Sequence, residues 1–213
     1  MGIIKKRFDR NYFENILYRE IPGSQRNRNR LKLIMDIKKN GKLLEIGCGS
    51  GGFLDLAAEY FDVDGIDISR YSVHHLKKRH GGKIILGNIV HTKLKKNYYD
   101  VIVIFNVLEH IKRPELAIRN IYNGLKQGGV LVGSVPNNSS LFGSFAAWFI
   151  NSFIDKTHCS TFQPNYWLKA FKKYNFRKIN FFGEIIFSRN RNRYLKRKYW
   201  RHLSFNLMFI CKK

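Results

Sequence analysis

The stretch Leu43-Leu44-Glu45-Ile46-Gly47-Cys48-Gly49-Ser50-Gly51-Gly52-Phe53-Leu54 carries an apolar strand into a glycine-rich turn and then into a helix. Glycines belong at such a turn because a side chain would block both the tight backbone path and the close approach of a ligand. A second element, Val63-Asp64-Gly65-Ile66-Asp67-Ile68-Ser69, ends a strand on Asp67, 22 residues after Glu45. A carboxylate there can accept both hydroxyls of an adenosine ribose. Alone, Asp67 reads as a solvated acid at a strand end; with the glycine turn at this spacing, the ribose role is favoured. In a third element, Gly87-Asn88-Ile89, a polar side chain at a strand end can face an adenine. Gly47, Gly49 and Gly52 also satisfy the G-x-G-x-x-G pattern of dinucleotide sites. Two details weigh against that use. Glu45 stands two positions before the first glycine, where dinucleotide-binding strands stay apolar, and Gly51 leaves little of the helix-dipole site a pyrophosphate needs.

Glu109-His110 follows the fourth apolar strand and is the pair suited to moving a proton. His110 is the better general base because an imidazole titrates near neutral pH; the alternative is a purely structural role before Pro114. His74-His75 lies on a helix and is expected at the surface. Cys48, Cys159 and Cys211 are far apart, form no CxxC pair, and read as reduced thiols.

These residues need a parallel sheet to hold them. From residue 42 to 135, short apolar runs alternate with helix-like stretches, the pattern of a parallel sheet covered by helices. Strands are expected at Lys42–Gly47, Asp62–Asp67, Lys83–Gly87, Asp100–Phe105 and Val130–Val135, and helices at Phe53–Tyr60, Arg70–Arg79 and Pro114–Lys126. Pro114 suits a first helical position, and Leu116, Ile118, Ile121, Tyr122 and Leu125 form an apolar stripe. Gly128-Gly129 is expected to stop that helix. Upstream, Gln25–Lys39 reads as a basic helix with Leu31, Ile34, Met35 and Lys38 on one face. Downstream, the uncharged Asn137–Ile154 reads as an aromatic helix, with Ser139–Ile154 covering a substrate pocket. Pro164–Tyr174 is a further helix, and Phe176–Phe187 and Ser204–Cys211 are strand-like.

The net charge is +24, and it is unevenly spread: +8 over residues 1–42, +2 over 43–155 and +14 over 156–213. Such flanks suit a polyanionic partner, namely an anionic membrane surface, nucleic acid or an acidic substrate; a compositional bias toward Lys and Asn is the alternative. Residues 188–201 hold seven Lys/Arg interleaved with Tyr194, Tyr199 and Trp200, and are expected to form a surface hairpin extension. No apolar run is long enough to span a bilayer, and the first residues lack the pattern of a signal peptide. A cytoplasmic protein able to sit peripherally at a membrane is expected.

With LLEIGCGSGGFL, VDGIDIS, YYDVIVIFNVLEHIKRPELAIRNIYNGLKQGGVLVGSVPN and THCSTFQPNYWLKAFKKYNF in this order, the chain resembles the class I S-adenosylmethionine-dependent methyltransferases. Over about residues 40–187 it is similar in particular to the small-molecule group that includes ubiquinone-biosynthesis O-methyltransferases. The resemblance implies a Rossmann-like three-layer α/β sandwich with a mostly parallel seven-stranded sheet. The length of 213 residues and the lack of a low-complexity linker fit one methyltransferase domain over 1–213, with a basic helical cap (1–41), a cofactor-binding core (42–135), and substrate-side helices with the last two strands (136–213). Glu45 and the loop Gly47, Cys48, Gly49 and Gly51 would meet the amino-acid half of S-adenosylmethionine. Asp67 would hold the ribose, Asn88 and Ile89 would meet the adenine, Asn106 would line the pocket below the sulfonium, and Ile68 would also contact the cofactor. The family usually has Asp where this chain has Asn88, a change that keeps an acceptor but removes a charge. The ubiquinone-type enzymes use a Glu-x-x-Glu-His run with a divalent metal; here the run reads Asn106-x-x-Glu109-His110, so no metal site is expected. His158 resembles a substrate-side histidine of the family and reads equally well as a polar loop residue.

Three functions compete on these observations. The first is methyl transfer to a small-molecule or lipid-like acceptor, on oxygen, with His110 and Glu109 as catalytic residues. The second is methylation of RNA gripped by the basic flanks. Against it, no Asn/Asp-Pro-Pro-Tyr/Phe motif and no paired catalytic cysteines are found, and Val135-Pro136-Asn137 has only a partial likeness to the former. The third is a cofactor-binding subunit without catalysis.

Overall fold

A computed structural model describes residues 24–80, 83–137, 158–160, 162–184, 194–195, 204 and 206–213, with residues 194–195 described in their backbone. The expected uncharged helix after Asn137 and nearly all of the basic 188–201 stretch lie outside these residues. The chain forms two compact units, residues 1–93 and 94–213.

In the first unit, helix α1 (Gln25–Met35) opens on Ser24, whose hydroxyl accepts from the Asn27 amide at 3.3 Å. Its buried residues are Asn27, Arg30, Leu31 and Ile34. The helix ends at Met35, four residues before the expected Lys39, so Lys38 lies beyond it; Met35 and Lys38 are half-buried. Strand β1 (Lys42–Ile46) is buried throughout and pairs in parallel with β2 (Asp62–Asp67), which pairs in parallel with the short β3 (Ile84–Leu86). Between them lie α2 (Gly52–Ala57) and α3 (Arg70–His80). Lys42 is buried at the start of β1 because its ammonium meets two carboxylates of β2, Asp62 and Asp64, each at 2.8 Å. Cys48, Leu54, Val73, Leu76 and Ile84 pack into one apolar cluster that joins the glycine turn to both helices and the sheet.

In the second unit, β4 (Tyr99–Phe105) pairs in parallel with β5 (Leu125–Pro136), and α4 (Pro114–Gly124) connects them. β8 (Asn206–Lys212) runs antiparallel beside β5 and then beside β6 (Arg177–Glu184). A two-residue strand, β7 (Tyr194–Leu195), pairs antiparallel with Gly183 and Glu184 of β6. Helix α5 (Pro164–Lys173) packs on β6 and α4. Trp167 and Phe171 are its largest buried side chains, and the Phe171 ring lies 4.9 Å from that of Phe209.

One expected boundary is overturned. Helix α4 stops at Gly124, before Gly128-Gly129, and Leu125 is already extended, with φ −70° and ψ 141°. The Asn97 and Tyr98 amides donate to the carbonyls of Asn123 and Gly124 at 3.0 and 2.9 Å, drawing the chain into the β4 ladder. Strand β5 therefore begins five residues earlier than its apolar pattern suggests, and residues 126–129 are taken up as a bulge opposite Asp100, with Gly128 at φ 74°. Buried on α4 are Pro114, Ala117, Ile118, Ile121 and Gly124, while Leu116 and Tyr122 are half-buried.

Candidate functional site: a glycine-turn cradle and a histidine pair

In the first unit, the expected cofactor residues gather where β1, β2 and β3 end. Glu45 is buried near the end of β1, opposite Gly65 of β2. Gly47, Gly49 and Gly51 all take positive φ (75°, 50° and 86°), which explains why the turn needs glycine at alternate positions. A Cβ on Gly51 would stand 2.3 Å from the Leu76 side chain and 2.6 Å from Arg79, so this position is closed on steric grounds as well. The Gly47 amide donates to the Ile66 carbonyl at 2.7 Å and Gly51 closes on Cys48 at 2.8 Å, tying the turn to β2 and to itself.

Asp67 does more than end β2. Its Oδ2 accepts from the Gly49 amide at 2.9 Å and its Oδ1 from the Ser69 amide at 2.8 Å. The carboxylate thus links the glycine turn to the start of α3, and each oxygen keeps a lone pair for a ligand hydroxyl. It is buried, and that burial raises its pKa above the ordinary 3.8, against the opposing pull of the Ser69 and Gly49 amides. Ile68 beside it is exposed, an apolar face next to the carboxylate. Asn88 is half-buried, and its Oδ1 accepts from the Val90 amide at 2.9 Å while its carbonyl takes the amides of His91 and Thr92. Its acceptor oxygen therefore already serves a local turn. Ile89 is buried.

In the second unit, Asn106 directly follows β4 at φ 52°, with its amide donating to the Ser134 carbonyl and its Oδ1 accepting from the Ser134 hydroxyl, both at 2.9 Å. A 3-10 turn, Leu108–His110, follows. The carbonyl of Glu109 accepts the amides of Cys159 and Ser160 at 2.8 and 2.9 Å, and the Ser160 hydroxyl donates to the Ile111 carbonyl at 2.5 Å. These bonds bring His158 against His110, with ring centroids 4.7 Å apart, edge to face. Glu109, His110 and His158 each offer a ligand atom within 4.8 Å of the others'. Of the expected pair, Glu109 is buried and His110 half-buried; His158, for which the sequence left two readings open, joins them. Two imidazoles and a carboxylate suit a divalent cation, whereas Asn106, neutral and bonded to Ser134, is a poor substitute for a carboxylate ligand. His74 and His75 are exposed, and Cys48, Cys159 and Cys211 form no disulfide.

Sequence reading missed the contacts made by the end of α3. Arg79 reaches the turn itself, donating to the Ser50 carbonyl, and pairs with Asp55 of α2. Nothing in the local sequence marks this arginine out from its basic neighbours.

The arrangement of β1, a glycine turn and an acidic β2 end is that of a nucleoside-binding α/β domain. The chain belongs to the methyltransferase domain family, whose model matches residues 15–180. It is similar to a probable S-adenosylmethionine-dependent methyltransferase of Mycolicibacterium smegmatis, 34% identical over 97 residues, covering 45% of this chain and 38% of that protein. It is also similar to the ubiquinone biosynthesis O-methyltransferase of Rickettsia canadensis, 29% identical over 126 residues, covering 55% of this chain and 53% of that one. The chain thus spans about half or less of the length of these relatives. The crystal structure of a methyltransferase from Archaeoglobus fulgidus superposes with a TM-score of 0.66 at 23% identity, covering 87% of this chain and 92% of that chain, and shares the Rossmann-like α/β fold. The chain therefore carries a methyltransferase domain.

Proposed function

We propose that the protein transfers the methyl group of S-adenosylmethionine to an oxygen of a small-molecule or lipid-like acceptor by direct displacement. The observation that carries the oxygen assignment is the meeting of Glu109, His110 and His158. Displacement at a sulfonium needs alignment above all, and a base only where the nucleophile must lose a proton, as a hydroxyl does. His110 is the base, His158 packs against it, and Glu109 holds the segment through its carbonyl. Glu45, the Gly47–Gly51 turn, Asp67, Ile68, Asn88, Ile89 and Asn106 are the residues assigned to the cofactor. The whole of 1–213 acts as one methyltransferase domain.

A metal-assisted version of the same step is favoured by the donor set. Glu109, His110 and His158 would hold a divalent ion, which would lower the pKa of an acceptor hydroxyl. Chelation separates the two readings: activity that survives it belongs to the imidazole base.

The basic flanks support a location at the cytoplasmic membrane surface. Each Lys or Arg near an anionic bilayer contributes about 1 kcal/mol, so seven can by themselves recruit a protein to such a surface. Among the described residues no helix is long and apolar enough to cross a membrane. The test supplies S-adenosylmethionine carrying a labelled methyl to the purified protein with a cell extract, then separates organic-soluble, small aqueous and RNA fractions. Label in the organic or small-molecule fractions is expected. Label in RNA, together with RNA binding but no preference for anionic over neutral liposomes, overturns the proposal in favour of an RNA methyltransferase. Cofactor binding with no transfer to any fraction makes the chain a binding subunit.

A further inference from the structure

The glycine turn is held from outside by a small charged cluster. Arg79, at the end of α3, uses both guanidinium arms: Nη2 donates to the Ser50 carbonyl at 2.5 Å and Nη1 meets Asp55 Oδ2 at 3.1 Å. The other oxygen of Asp55 accepts from His80 Nε2 at 2.6 Å. Asp55 sits in the first turn of α2, and its amide donates to the Gly51 carbonyl at 2.8 Å. Arg79 therefore touches the turn at Ser50 and braces the helix that leaves it. The guanidinium is also one of the two groups a Cβ on Gly51 would strike, so the turn passes directly over it.

We propose that Arg79 is a positioning residue for the cofactor: with Asp55 and His80 it locks the Gly47–Gly51 turn in the shape that receives the amino-acid half of S-adenosylmethionine. The proposal rests on the assignment of that turn to the cofactor. The physical argument concerns entropy. Gly47, Gly49, Gly51 and Gly52 follow one another with a single residue at most between them, and glycine loses more conformational freedom on ordering than any other residue. A turn left to itself would be ordered by the ligand at the expense of affinity, whereas one already tied through a carbonyl and a helix start is ready. Ser50 is the non-glycine residue whose carbonyl lies midway between Gly49 and Gly51, so a single planar, two-armed donor fixes the centre of the turn. A lysine would have to serve both partners from one nitrogen on a flexible stem, whereas Arg79 gives each its own nitrogen on a planar fork. The asymmetry of the clamp is what makes it testable, because Asp67 holds the ribose side by separate hydrogen bonds to the Gly49 and Ser69 amides.

The experiment compares S-adenosylhomocysteine with 5′-methylthioadenosine, which keeps the nucleoside and lacks the amino-acid half, by calorimetry on the full chain. In Arg79→Gln, affinity for S-adenosylhomocysteine is expected to fall roughly ten-fold while that for 5′-methylthioadenosine stays within about two-fold. Asp55→Asn should shift binding in the same direction and by less, and Arg79→Lys should recover only part of the loss. Amide exchange at residues 48–52 of the unliganded protein should quicken in Arg79→Gln. Arg79 is 44% exposed at its side chain, so the variant is expected to fold; Arg79→Lys and Asp55→Asn provide the same contrast should it not. Equal weakening of both ligands would make the residue merely structural, and unchanged binding of both would remove any role; either result overturns the proposal. A wild-type chain that binds neither ligand overturns the cofactor assignment itself, a failure visible before any substitution is made.

Discussion

Replacing Asp67 isolates the part of the site that the structure describes most fully. Its carboxylate is buried and takes two backbone amides at 2.8 and 2.9 Å, yet keeps acceptor capacity for a pair of ribose hydroxyls. Hydrogen bonds to a charged acceptor are worth more than neutral ones, so Asp67→Ala should cost cofactor binding about 2–4 kcal/mol, a ~30- to ~900-fold loss of affinity. The fold should suffer less. The Gly49 and Ser69 amides lose their partner, but the cost of burying an ionised carboxylate disappears with it. That cost gives the prediction a second arm. Burial raises the folded pKa above 3.8, so the folded state binds a proton more tightly than the unfolded one. The Asp67 penalty is then absent below about pH 3.8 and sets in as the pH rises from there through the folded value. Asp67→Asn, which keeps an acceptor oxygen without the charge, should therefore gain stability relative to wild type over that rise. Calorimetry with S-adenosylhomocysteine measures the first arm and urea unfolding from pH 4 upward the second. Binding by Asp67→Ala within two-fold of wild type would refute the ribose role, and identical pH profiles for Asp67→Asn and wild type would refute the burial argument.

His110→Ala should lower the rate of methyl transfer by roughly 10²- to 10⁴-fold with S-adenosylhomocysteine affinity unchanged, the mark of a base that does not hold the cofactor; His158→Ala should follow in the same direction, and single-turnover assays with the acceptor in hand would show it. Lys42→Met should destabilise the fold by about 3–5 kcal/mol, because it removes the ammonium that meets buried Asp64 at 2.8 Å; urea unfolding measures this. Burial works to lower the Lys42 pKa, but its hydrogen bonds to Asp62 and Asp64 outweigh this and raise it above 10.5, so its contribution should be complete below pH 10.5 and vanish as the pH rises through the higher folded value. Gly133→Ala should cost at least ~1–3 kcal/mol in thermal unfolding, since its methyl would lie 2.3 Å from the Phe209 ring and 2.5 Å from the Ile104 carbonyl, on two strands that cannot both withdraw.

Asn88 and Gly124 show where local reading reaches its limit. Asn88 was legible as a polar residue at the end of β3, but its oxygen is committed to the turn at Val90, a competition between backbone and ligand that residue type alone does not resolve. The end of α4 was misplaced because Gly128-Gly129 is the stronger stop signal in sequence, while the acceptors that end the helix at Gly124 are claimed by amides 26 residues away.

The order of strands and helices through residue 136, the glycine turn and the acid at the end of β2 were determined by the sequence alone, since they depend on apolar periodicity, on glycine at positive φ, and on spacing along one chain. What tertiary structure alone decided is which distant groups meet. Arg79 reaches Ser50 across 29 positions, and Ser160 reaches Ile111 across 49, bringing His158 onto His110. Each is a polar contact made by a side chain or loop whose local sequence favours no partner. Such pairings follow from the way sheet and helices pack, because a buried donor or acceptor must be satisfied by whatever the packing brings within reach.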